Sequence, residues 1–186
     1  KHLSVIGAGA IGLELGSVWK RLGSKVTVLE YMDRILPGAD REIAQIALQS
    51  FKKQGLKFRL DARVKSARVE DDECIVEYNE SEVMKSDRVL VAVGRKPCSE
   101  GLNLKARGVE TDERGFITVD ENFCTSLAGV YAVGDVIGGS LLAHKASQEA
   151  VACVEQLVNS VSHINYGTLP SIVYTSPEVG QVGSTE

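Results

Sequence analysis

Three glycines, Gly7, Gly9 and Gly12, stand in the order G-x-G-x-x-G directly after an apolar run and directly before a helical pattern. That context gives an otherwise weak spacing its chemical meaning. Gly7 permits a tight turn, Gly9 lets a pyrophosphate approach the backbone with no side chain in the way, and Gly12 allows the helix to pack closely on the strands. The first helical turn then offers unpaired N–H groups and a positive dipole end to phosphate. The next apolar strand ends at Glu30, about 18 residues past Gly12, where an acid that holds a ribose is expected. A carboxylate there accepts from both ribose hydroxyls and repels a 2′-phosphate, which favours NAD over NADP. Tyr31, Met32 and Asp33 follow it, and Arg34 reads as a solvated loop charge.

Two more acids sit where chemistry is possible. Glu14 lies one turn into the helix, where a carboxylate is favourable against the dipole alone and could equally serve a partner cation. Asp135 follows the run Val130-Tyr-Ala-Val-Gly134. The end of a strand suits it to a sugar-like hydroxyl, and a turn suits it to capping local backbone. Cysteines 74, 98, 124 and 153 form no close pair, so they read as reduced thiols and not as a metal or dithiol site. His2, His144 and His163 are equally scattered, and no metal is expected.

The elements that must position these residues are those of an α/β chain. Leu3 to Ile6 and Val26 to Leu29 read as parallel strands buried on both faces, and Leu56 to Leu60 as a third. Between them, Ile11, Leu15, Val18, Trp19 and Leu22 form one apolar helical stripe, ended by Gly23 as a left-handed cap. Asp40 caps a second helix with Ile43, Ile46, Ala47 and Phe51 inward, closed by Gly55. Val64 to Val69, Ile75 to Tyr78 and the residues around Val83 alternate like an antiparallel meander. Arg88 to Val93 reads as another fully buried strand. Beyond it come two short strands, Phe116 to Val119 and Val130 to Val133. A helix from Leu142 to Val158 follows, with Ala146, Ala150, Cys153, Val154 and Leu157 on one face, and then a tail with one β-rich piece. With 186 residues, 25% charged and a net charge of −4, the chain lacks the basic excess of a nucleic-acid binder, and no apolar run is long enough to span a membrane.

Four blocks resemble the flavoprotein disulfide reductases: Gly7 to Trp19, Val91 to Pro97, Val130 to Asp135, and Leu142 to Glu149. The last of these, with Pro170 to Glu178, is similar to the lipoamide dehydrogenase branch, and the resemblance runs from end to end. It implies a Rossmann-like FAD/NAD(P)-binding fold in three layers, a parallel sheet plus an antiparallel β-meander. It also implies cofactor contacts. Gly7, Ala8, Gly9, Ala10, Ile11 and Gly12 match the NAD pyrophosphate segment, and Glu30 the ribose acid. Val64 matches the residue packed on adenine, and Gly94 the backbone near the nicotinamide. Asp135 is similar to the aspartate on the ribityl chain of FAD, and Leu141, Leu142, Ala143 and His144 to the segment against the flavin ring. Glu14 resembles the catalytic-site glutamate that pairs with a lysine at the flavin. Small Ala10, where glutathione-reductase-like members carry an aromatic gate, fits the lipoamide branch.

The family's C-x-x-x-x-C disulfide, a second glycine motif, the flavin lysine and the His-Glu pair have no counterpart here, so the sequence reads as an internal fragment. Residues 1–115 would be the NAD-binding domain, 116–167 a returning part of the FAD-binding domain, and 168–186 the start of a dimer-interface domain. The parent implied is a homodimer oxidising dihydrolipoamide, carried on the lipoyl domain of a 2-oxoacid dehydrogenase complex, through its disulfide and FAD to NAD. It would work in the cytoplasm, or in the mitochondrial matrix of a eukaryote, and the fragment alone would be inactive. Another disulfide reductase, such as a mercuric-reductase-like enzyme, and a non-catalytic dinucleotide-sensing module are the alternatives.

Overall fold

The computed structural model describes residues 1–158 and 163–184. They fall into two compact units, Lys1–Gly94 with Pro170–Glu186, and Arg95–Leu169.

The first unit is built on a parallel sheet. Strands β1 (His2–Ile6), β2 (Lys25–Leu29), β3 (Lys57–Arg59) and β7 (Arg88–Val91) pair in the order β3-β2-β1-β7. Helices α1 (Ala10–Arg21) and α2 (Arg41–Lys53) connect the first three. Val5, Val26 and Val28 point to one face and form the main core with Leu13, Ala44, Ala47, Leu48 and Phe51 of the helices. Ile6 and Leu29 point to the other face, as strand alternation requires, and meet Val76 and Tyr78. Those two residues belong to the antiparallel meander β4 (Val64–Glu70), β5 (Glu73–Tyr78) and β6 (Glu82–Ser86). Helices, parallel sheet and meander are the three layers expected.

Local chemistry sets the helix ends. Asp40 accepts from the N–H groups of Glu42 and Ile43 and caps α2. Gly23, at φ +88°, closes α1: its N–H donates to the Lys20 carbonyl while that of Ser24 reaches Trp19, both at 3.0 Å. That pair of bonds is a Schellman cap.

Several faces differ from the sequence reading. The α1 stripe of Ile11, Leu15, Val18, Trp19 and Leu22 is exposed, with Trp19 at 50%, while Gly12, Leu13, Gly16 and Ser17 are buried. Small residues let the helix approach the strands, and glycine adds nothing to an apolar pattern. In α2, Ile43 and Ile46 are also exposed, and Ala44 and Leu48 take the inner positions with Ala47 and Phe51. β7 is an edge strand whose Val89 and Leu90 are half-buried against the two clusters, while Val91 and, beyond its end, Val93 are exposed, so 88–93 is not the fully buried strand expected. The tail forms a hairpin of two strands, β8 (Ser171–Val173) and β9 (Val179–Gln181). Val173 and Val179 complete the main core of this unit.

The second unit is mostly turns around α3 (Ala143–Leu157). The strands expected at 116–119 and 130–133 are reduced to the single bridges Thr111–Ile117, Val119–Thr125 and Cys124–Tyr131. Aspartate turns interrupt the ladders. Asp112 accepts from the N–H groups of Arg114 and Phe116, and Asp120 from those of Asn122 and Cys124. On α3, Val154 and Leu157 are exposed, whereas Lys145, Glu149, Ala152 and Cys153 are buried. Among the described residues, no helix is long and apolar enough to cross a membrane. Nor does any group of three His, Cys, Asp or Glu residues among them suit a metal ion.

Candidate functional site

The glycine loop of the first unit leaves β1, turns at Gly7 and enters α1 at Ala10. Gly7 has φ +102°, and a Cβ there would collide with the Ala92 carbonyl oxygen. A Cβ on Gly12 would collide with the Gly7 carbonyl oxygen and crowd Val5. Both positions therefore exclude a side chain for reasons internal to the fold. Gly9 is different, because nothing lies within 4 Å of where its Cβ would be. α1 has Gly9 as its N-cap and no side-chain capping bond, so its first N–H groups have no competing side chain. Ala8 is buried, Ala10 half-buried and Ile11 exposed.

Glu30 sits at the end of β2 and is only 8% exposed. Its carboxylate accepts from the Ala8 N–H at 2.6 Å and from the Met32 N–H at 2.9 Å. The acid expected to hold a sugar thus also ties the second strand to the glycine loop, and each oxygen keeps a further lone pair. Arg34 donates to the Pro37 carbonyl, which keeps it on its own loop. Val64 is half-buried against the Ile6–Leu29 cluster, beside a β-bulge between Val64 and Ser66. Gly94 is exposed at φ +117°. On α1, Glu14 is half-buried and accepts from the Tyr174 N–H of the tail hairpin at 2.8 Å.

In the second unit, Asp135 lies on a short 3₁₀ turn, Gly134–Ile137. Its carboxylate caps no local amide. It pairs with Arg95 Nη1 at 2.7 Å, while Arg95 Nη2 donates to the Leu141 carbonyl. Arg95, Pro97, Phe116, Asp135 and Leu141 line a cavity of about 320 Å³. Leu141 and Leu142 are half-buried, Ala143 and His144 exposed, and α3 starts at Ala143 without a side-chain cap.

Beneath this turn is a buried network that the sequence reading did not single out. Lys145 and Glu149, 3% and 1% exposed, form an ion pair of 2.8 Å. Lys145 Nζ also donates to the Gly138 carbonyl at 2.9 Å. Glu149 accepts from the Gly134 N–H at 2.7 Å and from the Tyr166 hydroxyl at 3.0 Å. Burial and the neighbouring Glu149 carboxylate push the Tyr166 hydroxyl up to about 12. The available signal was the i,i+4 spacing of Lys145 and Glu149, on the same helical face as Ala152 and Cys153.

The chain's relatives share this plan. Residues 1–150 match the family described as pyridine nucleotide-disulphide oxidoreductase. Dihydrolipoyl dehydrogenase 3 of Pseudomonas putida is 48% identical over 191 residues, covering 100% of this chain and 41% of that protein. The mitochondrial dihydrolipoyl dehydrogenase of Pisum sativum is 50% identical, again over all of this chain and 38% of the relative. Among solved structures, LpdA from Mycobacterium tuberculosis superposes with a TM-score of 0.92 at 29% identity, over 98% of this chain and 40% of that one. The chain thus spans about two fifths of the length of the relatives it matches. It belongs to the pyridine nucleotide-disulphide oxidoreductase family.

Proposed function

We propose that this chain is the NAD-binding core, with a flavin-facing segment, of a dihydrolipoyl dehydrogenase. The observation that carries the reading is the glycine loop, closed to side chains at Gly7 and Gly12, open at Gly9 and braced by Glu30. The α1 amides from Ala10 to Gly12 take the pyrophosphate, the free lone pairs of Glu30 take the adenosine ribose, and the Glu30 charge disfavours a 2′-phosphate. Val64 packs on the adenine and Gly94 supplies backbone near the nicotinamide. FAD, when bound, relays an electron pair between a dithiol and the nicotinamide. In the second unit, Asp135 would offer it a carboxylate for the ribityl hydroxyls, and the Leu141–His144 backbone with the α3 amides would hold the ring. In the first unit, Glu14 would hold a partner cation.

Residues 1–115, 116–167 and 168–186 would then belong to the NAD, FAD and interface domains. The whole protein would be a homodimer acting on dihydrolipoamide borne by a lipoyl domain, in the bacterial cytoplasm or the mitochondrial matrix. The 186-residue chain, with no C-x-x-x-x-C pair, would bind without turning over.

Calorimetric titration of the chain with NAD and NADP tests this reading. NAD is expected to bind more than about tenfold tighter, a difference near ~1.4 kcal/mol, and Glu30→Gln is expected to narrow that gap. Failure to bind either dinucleotide would overturn the reading, and equal affinity for both would overturn the NAD preference.

A further inference from the structure

The segment from Gly134 to Leu141 carries Asp135 and leads into α3, yet it has almost no regular structure beyond one 3₁₀ turn and contains Gly138 and Gly139. Such a stretch has little intrinsic reason to keep one shape. It is nevertheless bonded from two sides. From beneath, Lys145 Nζ holds the Gly138 carbonyl and Glu149 holds the Gly134 N–H, so one buried ion pair grips both ends of the 3₁₀ turn. Tyr166 fixes the Glu149 carboxylate in turn. From the cavity side, the two arms of the Arg95 guanidinium hold the Asp135 carboxylate and the Leu141 carbonyl. Lys145 and Glu149 could pair anywhere on the helix surface at less desolvation cost, and burying both charges makes sense only where their remaining hydrogen-bonding capacity is used.

The geometry points to Arg95, Lys145 and Glu149 as positioning residues, a two-sided clamp that sets the shape of the Gly134–Leu141 segment and thereby the placement of the Asp135 carboxylate. The assignment deepens the flavin-facing reading of that segment and rests on it for the identity of the ligand, though not for the clamp itself. Arg95 is suited to its part because a planar fork can satisfy two acceptors at fixed separation, which a lysine cannot do.

The test uses the whole 186-residue chain and three variants, Glu149→Gln, Arg95→Met and the double Lys145→Met/Glu149→Gln. Hydrogen exchange over residues 134–142 and thermal unfolding are measured for each, followed by titration with FAD. Glu149→Gln leaves a buried lysine without its counter-charge, so it is expected both to lower stability and to speed exchange. In the double variant the unpaired charge is gone and thermal stability is expected to recover, but Lys145→Met takes the donor from the Gly138 carbonyl. Exchange over 134–142 is therefore expected to stay up to about tenfold faster than in the wild type, as for loss of one buried hydrogen bond. Arg95→Met, a half-exposed change, is expected to speed the same amides with no change in unfolding temperature. Exchange that recovers together with stability in the double variant would overturn the clamp and leave a merely structural ion pair. Unchanged exchange in Arg95→Met would overturn the part assigned to Arg95. Should the exchange pattern hold while the wild-type chain ignores FAD, the flavin reading falls and the clamp stands. FAD binding weakened in step with the exchange would support both.

Discussion

At the scale of single residues, the clearest pH-dependent contribution to the fold is that of His2. Its Nδ1 donates to the Lys85 carbonyl at 3.0 Å and its Nε2 accepts from the Thr27 hydroxyl at 2.9 Å, an arrangement that wants the neutral imidazole. Burial lowers its pKa below the ordinary 6.5, with Lys25 and Lys57 adding to the effect and the Lys85 carbonyl and Asp87 opposing it. A base whose folded pKa is depressed contributes stability that is complete above the unfolded pKa and is lost as pH falls through the folded value. Unfolding temperature is therefore expected to be flat above 6.5 and to fall just below it, before the carboxylates titrate at about pH 4–5. His2→Gln keeps a donor and an acceptor but cannot charge, so that early decline should vanish in a melting series from pH 8 to about 5. An identical slope in the variant would count against the assignment.

Elements obey a rule the residue scale hides, namely that a helix can turn its bulkiest stripe away from the sheet it packs on. Leu13, completely buried in α1, sits between Gly12 and Gly16, while Val18 and Trp19 are half-exposed. Leu13→Ala should cost about 2–5 kcal/mol, as for a large-to-small change in a core, whereas Val18→Ser should stay within about 0.5 kcal/mol, as at an exposed site. Urea titrations of the two variants give the comparison, and a larger loss at Val18 would mean that the helix faces are reversed. The same helix shows what a sequence can reveal. The glycine loop, the Asp40 cap, the Gly23 stop and the meander were legible because each depends on residues a few positions apart, whose chemistry has one good local solution. The inner face of α1 was not legible, since periodicity says which residues share a face and is silent on which face meets the strands. Nor could Arg88–Val93 tell that the strand would end at Val91 on the edge of the sheet, with Val89 and Leu90 packed and Val91 and Val93 exposed. At the candidate site, the need for glycine at 7 and 12 and the place of Glu30 at the end of β2 were readable from motif and spacing. Arg95 was not, nor was Glu149 beyond its i,i+4 pairing with Lys145, because their other partners depend on how distant turns are brought together.

For the molecule as a whole, the path of the chain is the decisive feature. It leaves the first unit after Gly94, completes the second by Leu169, and returns at Pro170 to finish the unit it began. The returning hairpin is more than a tether. Val173 and Val179 are 8% and 7% exposed and belong to the same core as Val5, Val28 and Phe51. The Tyr174 N–H meets Glu14 on α1, and Gln54, just past α2, donates to the Ser176 carbonyl. A parallel sheet whose core is closed by residues some eighty positions downstream cannot reach full stability until that stretch is present. Truncation after Leu169 removes two buried valines, worth about 1.5–3 kcal/mol each when fully buried, and leaves the Glu14 carboxylate without its backbone donor. The truncated chain is expected to lose about 4–8 kcal/mol from the first unit, seen as a lower denaturant midpoint and faster amide exchange across β1, β2 and α1. A full-strength first unit without the hairpin would reduce the tail to an ornament. The intermediate substitution Val173→Ala/Val179→Ala keeps the backbone bond to Glu14 while emptying the core positions, so it separates the apolar share of the loss from the polar one.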